Sequence, residues 1–183
     1  DMPQSFDLFF ASSNSHKFKE AKKILEEFRI NLGFFRCNLE EIQSDSLKEI
    51  AKYKATQAFE KLRKPVIVED DGLFIDSLNG FPGPYSSYVF KTIGNKGILN
   101  LLKQKRKADF VSIISYHDKN LQKSFNSKSS GIISKKIMGK GWGYDPIFIP
   151  SNYKKTFAQL KNKNEVSHRF KALKKFASWY FDR

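Results

Sequence analysis

Residues 66–89 read V-I-V-E-D-D-G-L-F-I-D-S-L-N-G-F-P-G-P-Y-S-S-Y-V, so three acids in a row, Glu69, Asp70 and Asp71, stand between two apolar runs. Carboxylates set among core-forming residues are costly to bury unless something compensates them. A divalent cation is one compensation. Hard oxygen ligands suit Mg2+, which takes one or two carboxylates and completes its shell with substrate phosphates. An acidic turn facing water is the other reading of the same residues.

The cations have their own pattern. Ser12-Ser13-Asn14 offers N-cap chemistry ahead of Phe18, Ala21, Leu25 and Phe28, which recur at helical spacing. His16 and Lys17 fall in that helix's first turn, where the macrodipole disfavours positive charge and free N–H groups attract phosphate. Ser167 caps a last helix built on Leu173, Phe176, Ala177 and Tyr180, and His168 and Arg169 occupy its first turn. Two helix starts carrying cations point to one triphosphate. Ser46-Leu47-Lys48-Glu49 reads as a capping box opening a helix whose apolar face is Leu47, Ile50, Ala51, Ala55, Ala58 and Leu62. Lys54 lies on that face, so its side chain either snorkels outward or points into a cleft. Near the chain's end, Gly139, Gly141 and Gly143 surround Trp142 in G-K-G-W-G-Y-D-P. That pattern suits close backbone approach with a stacking face, or equally a glycine-rich hairpin with a core Trp.

The elements that must position these groups alternate. Residues 6–11 suit a first strand, residues 30–45 a short strand and a loop, and Val66, Ile67 and Val68 a buried strand that Gly72 turns. Residues 79–84 form a tight loop, and residues 95–105 a short helix on Ile98, Leu101 and Leu102. Residues 110–116 and 122–127 suit antiparallel strands joined by a turn that leaves His117 exposed and uninvolved. Residues 131–138 and 147–149 suit two more strands, and residues 151–166 a polar loop. Strand–helix alternation followed by antiparallel strands implies an α/β fold, a mixed sheet flanked by helices, in one domain spanning residues 1–183.

Composition narrows the classes. Lys plus Arg number 33 against 19 Asp plus Glu, a net charge of +14 that suits a polyanionic partner, from nucleic acid down to a nucleoside triphosphate. Phe is abundant at 18, so apolar material is not limiting, and the single cysteine, Cys37, excludes an internal disulfide. No apolar run approaches the roughly 20 residues of a membrane span, and Asp1-Met2-Pro3 begins no signal peptide.

Four stretches, A-S-S-N-S-H-K, V-E-D-D-G-L-F-I-D-S-L-N-G-F-P-G-P-Y-S-S-Y, G-W-G-Y-D-P-I-F-I-P and S-H-R-F-K-A-L, resemble in order and spacing the motifs of the inosine triphosphate pyrophosphatase family. The resemblance implies an elongated α/β structure of two lobes with the active cleft between them. It implies hydrolysis of non-canonical purine nucleoside triphosphates to the monophosphate and pyrophosphate, with Mg2+, in a cytoplasmic homodimer. By the same resemblance Glu41, Glu69 and Asp70 hold the metal, and Asp70 takes the proton from the attacking water. Glu41 rather than Glu40 is chosen by the resemblance alone. Ser12, Ser13, Asn14, Lys17, Lys54 and Asp71 face the substrate. So do Lys163, His168 and Arg169, which with the lysines hold the triphosphate. Trp142, Gly143, Tyr144 and Asp145 hold the purine. Four positions depart from the family pattern: His16 and Phe170 stand for Gly, Asp71 for Ser, and Gln159 for Glu. A basic nucleic-acid-binding module and a nucleotide sensor without turnover are the rival classes. The acid cluster argues against the first and the Glu41, Glu69 and Asp70 set against the second.

Overall fold

The computed structural model describes residues 5–183, so the reading of Asp1-Met2-Pro3 lies outside the described residues. Along the chain run β1 (Leu8–Ser12), α1 (Ser15–Glu26), β2 (Leu32–Arg36), α2 (Leu47–Leu62) and β3 (Val66–Ile75). Then come β4 (Pro82–Gly83), α3 (Ser86–Thr92), α4 (Gly94–Leu101), β5 (Lys107–His117), β6 (Gln122–Ile133), β7 (Phe148–Pro150), α5 (Lys163–Val166) and α6 (His168–Asp182). The strands form one seven-stranded sheet in the order β2-β1-β3-β5-β6-β7, with β4 on β3. β1 pairs parallel with β2 and β3, whereas β4 pairs antiparallel with β3 and β7 with β6. The sheet is therefore mixed and helices flank it, the α/β class that the strand–helix alternation implies.

Asn14 starts α1: its Oδ1 accepts from the N–H groups of His16 and Lys17, and Ala21, Ile24 and Leu25 are buried on the inner face. Phe28 lies past the helix and is not part of that face. Half of the expected capping box forms at α2. Ser46 Oγ accepts from Glu49 N–H at 3.2 Å, but the Glu49 carboxylate takes the Ser44 hydroxyl, and Ser44 in turn receives Ser46 N–H.

Three expectations are corrected. Gly72 does not turn the chain: β3 runs unbroken through Glu69, Asp70 and Asp71, because β1 holds its first half and β4 pairs with Leu73 and Phe74 in its second. Residues 131–138 are not a separate strand. Gly131, Ile132 and Ile133 end β6 and pair with Pro150, Ile149 and Phe148. His117 closes β5 half-buried, its ring stacked on Phe59 with centroids 4.6 Å apart, so it is a packing residue rather than an exposed one. α3 follows the Gly-Pro turn where the sequence showed no helical period.

By contacts the chain divides into two units. One takes the chain up to Asp70, with Ile113–Asn126 and Ala172–Arg183, and the other takes Asp71–Ser112 and Ser127–Lys171. The first unit's core includes Leu8, Phe10, Ala21, Leu25, Leu32, Ala51, Ala55 and Ile67, all essentially without solvent exposure. In the second, Leu73, Ile75, Ile98, Phe110, Ile133, Tyr144, Phe148 and Phe157 form a continuous apolar cluster. No helix among the described residues is long and apolar enough to cross a membrane.

Candidate active site

In the first unit the acids and a lysine meet. Asp70 is 8% exposed and Glu69 5%, inside a strand whose preceding residues, Val66, Ile67 and Val68, are buried. Lys54 supplies compensation for Asp70. From the apolar face of α2 its Nζ reaches Glu41 Oε1 at 2.5 Å and Asp70 Oδ1 at 3.4 Å. The Lys54 side chain is 12% exposed and its Nζ meets two carboxylates, so it points inward and does not snorkel. This geometry separates the two adjacent acids of the loop. Glu41 faces Lys54, whereas the Glu40 backbone hydrogen-bonds the Gln57 amide and its carboxylate faces Tyr53. β1 and β3 run parallel, so Ser12-Ser13-Asn14 leaves β1 in the direction in which β3 leads into its acids. Loops beyond the carboxyl ends of parallel strands are the usual place for ligands in open α/β sheets. Ser12 Oγ accepts from Asn14 N–H, and Asn14 caps α1, so this loop is held by its own side chains with Lys17 in the first turn that follows.

Among the described residues no set of three or more His, Cys, Asp or Glu side chains is gathered to hold a metal ion. Glu41 and Asp70 nonetheless converge on one cationic atom, Lys54 Nζ, and offer oxygen donors only. That donor set suits a hard divalent cation that draws the rest of its shell from phosphates and water.

The second unit gathers the aromatic segment and the remaining cations. Lys163, 8% exposed, pairs with Asp145 at 2.5 Å, and Arg169, 2% exposed, pairs with Asp71 at 3.1 Å. Both cations also lie over the Trp142 ring, Lys163 Nζ 5.2 Å and Arg169 Cζ 5.1 Å from its centroid. His168 stacks flat on Phe110 at 4.0 Å, and its Nε2 lies 4.0 Å from Asp71 Oδ1. Gly143 adopts φ +59°, a left-handed conformation that an L side chain resists even where space is open, as it is here. Tyr144 turns into the core at 5% exposure, donates its hydroxyl to the Ser86 carbonyl at 2.6 Å, and has that hydroxyl's pKa pushed up by burial.

The supports of this group carry little signal in the sequence. Ser86 receives Leu73 N–H, donates to the Gly83 carbonyl, and offers its own carbonyl to Tyr144, so it ties β3, β4 and the aromatic segment together. Asn95 Nδ2 holds the Gly143 carbonyl at 3.1 Å. Ser86 sits inside the Pro-Tyr-Ser-Ser-Tyr signature but nothing in its type marks it, and Asn95 carries no local signal at all. Gln159, in place of Glu, accepts from Thr156 N–H and acts as a turn support.

Fold and side chains thus place the chain among α/β proteins whose central strand carries buried acids matched by lysine and arginine. It belongs to the Ham1 family, whose model matches residues 8–179. A protein of Methanopyrus kandleri named dITP/XTP pyrophosphatase is 49% identical over 179 residues, covering 94% of this chain and 95% of its own. One of Thermococcus kodakarensis with the same name is 42% identical over 177 residues, covering 94% and 96%. Among solved structures, the Ham1 protein of Staphylococcus aureus superposes with a TM-score of 0.79 at 31% identity, covering 95% of this chain and 98% of its own. That of Coxiella burnetii gives 0.83 at 26%, covering 98% and 100%.

Proposed function

We propose that this protein hydrolyses non-canonical purine nucleoside triphosphates, those of inosine, deoxyinosine and xanthosine, to the nucleoside monophosphate and pyrophosphate. The observation that carries the reading is the convergence of Glu41 and Asp70 on Lys54 within a chain that matches dITP/XTP pyrophosphatases nearly end to end. Glu41, Glu69 and Asp70 would hold a divalent ion, Mg2+. When bound, such an ion neutralises phosphate charge and lowers the pKa of water.

Asp70 accepts the proton of the attacking water, whose oxygen forms the new bond to phosphorus as the bond to the pyrophosphate leaving group breaks. Lys54 balances the carboxylates and steadies the charge that develops on the phosphates. Ser12, Ser13, Asn14 and Lys17 bind phosphate at the start of α1. In the second unit Trp142 offers its ring to the purine, with Lys163, His168 and Arg169 around it. The packing of Lys163 and Arg169 on that ring favours contact with the base over the triphosphate role that sequence alone suggests. Tyr144 and Gly143 shape this segment, and Asp145 and Asp71 set its cations. The family resemblance adds a homodimer and a cytoplasmic setting, which size-exclusion chromatography with light scattering and localisation of the tagged protein would check.

The test is pyrophosphate release from a panel of nucleoside triphosphates with and without Mg2+. Turnover of the inosine and deoxyinosine substrates but not of adenosine triphosphate, and only with the metal, is the expected result. Ordinary purine triphosphates turned over equally well, or none at all, would refute it.

A further inference from the structure

We propose that Asp71 makes this site select an uncharged 6-oxopurine over an anionic one, so that inosine and deoxyinosine triphosphates are preferred to xanthosine triphosphate. The inference rests on the reading above that Trp142 receives the base.

Two cations lie over the Trp142 ring, and each is paired with a carboxylate. Lys163 is matched by Asp145 and Arg169 by Asp71, so the formal charge of the four sums to zero. Three of them, Asp145, Lys163 and Arg169, are 2–8% exposed, and the Asp71 side chain is 10% exposed. Charge taken out of water in this way must be balanced locally, because the low dielectric magnifies every imbalance. A neutral base adds no charge and leaves both pairs intact. Hypoxanthine is such a base, with a ring N–H and one keto oxygen. Xanthine carries a second keto group, which acidifies its ring N–H, so that it is largely a monoanion at neutral pH. Beside Trp142 it brings one negative charge, which must compete with Asp71 for Arg169 and with Asp145 for Lys163.

Asp71 is the residue that decides this. With Ser at the position, as in the family pattern, this carboxylate would be absent, and an anionic base would not have to compete with it for Arg169. The same carboxylate faces His168 Nε2 at 4.0 Å, and the imidazole is stacked on the apolar ring of Phe110. Asp71 therefore acts by charge, and replacing it with its isostere leaves the room around the base unchanged. It is a specificity-determining residue distinct from Asp70, its neighbour in β3, to which proton transfer is assigned.

Steady-state kcat/KM is to be measured for inosine and xanthosine triphosphates with the unaltered protein, Asp71→Asn and Asp71→Ser. A ratio within one preparation does not depend on how much of it is folded or active. The unaltered chain is expected to favour inosine triphosphate. Asp71→Asn should shrink that preference on the order of tenfold, since a like charge placed against the ligand costs at least this much. The change should come mainly from a lower KM for xanthosine triphosphate, and Asp71→Ser should act in the same direction. A preference for xanthosine triphosphate in the unaltered protein overturns the inference, as does a ratio that neither variant moves. Both results leave the hydrolase reading standing. Absence of turnover with either nucleotide overturns both. Should the variants fail to fold, the ratio of the unaltered protein alone still decides the direction.

Discussion

Lys54 stands where a packing residue would be expected, on the face of α2 that buries Ala51, Ala55 and Ala58. Its type alone does not fix its direction, because the same aliphatic stem serves a lysine that escapes to water and one that reaches an acid. The acids of β3 mark a candidate site in the sequence because carboxylates among β-branched residues demand a partner. The partner's identity is not marked there, since the pairing spans α2 and β3. Likewise Glu40 and Glu41 are indistinguishable as letters and are told apart only by Gln57, Tyr53 and Lys54 around them. Asp70→Asn is the decisive change at this scale. Asparagine keeps the shape and the ability to accept from Lys54, but cannot take a proton from water. Turnover should fall on the order of 10²–10⁴-fold, with the melting temperature and nucleotide affinity much less affected. Steady-state kinetics beside thermal denaturation and binding titration check it, and near-normal turnover by a folded variant would remove Asp70 from the role of base.

Elements were read well where one period dominates and poorly where pairing decides. α1, α2 and α6 follow their apolar spacing, β1 and β7 lie within a residue or two of their apolar runs, and β2 falls inside the longer stretch read as a short strand and a loop. Glycine misled twice. Gly72 reads as a turn but lies buried within β3, and Gly131 reads as the start of a strand but lies inside β6. The reason at Gly131 is the neighbouring backbone: a Cβ there would stand 2.1 Å from the Ile149 carbonyl oxygen and 2.9 Å from Pro150 Cα. Neither atom can yield as a flexible side chain would, so Gly131→Ala must push β7 from β6. Overpacking typically costs about 1–3 kcal/mol, and a cost at the upper end of that span is expected, visible as a lower denaturation midpoint with an unchanged m-value. A variant as stable as the parent would mean that β6 and β7 are not paired in the register Gly131↔Pro150.

At the scale of the whole molecule, no linker could be read from the sequence because none divides the two units. The boundaries fall inside β3, β5, β6 and α6, between residues whose local patterns continue unchanged. The net charge of +14 was legible at once, but not its division into two kinds. Lys54, Lys163 and Arg169 are largely withdrawn from water and matched by carboxylates. Lys19, Lys23, Lys123, Lys128, Lys171, Lys174 and Lys175 are exposed and spread over α1, β6 and α6. Salt screens the exposed class far more than the buried pairs, and a scattered array of lysines attracts polyanions without reading them. Duplex DNA should therefore bind weakly, with no sequence preference, at low ionic strength, and lose that binding steeply as counterions are added. Hydrolysis should respond differently. Raising salt should increase KM for inosine triphosphate by weakening its capture, while kcat, set by the matched and buried groups, should change little. Titrations of two unrelated labelled duplexes at low and physiological salt, run beside steady-state kinetics at the same ionic strengths, separate the two effects. A sequence-dependent complex that survives physiological salt would make nucleic acid the partner for which this charge is arranged, and would displace the enzyme reading.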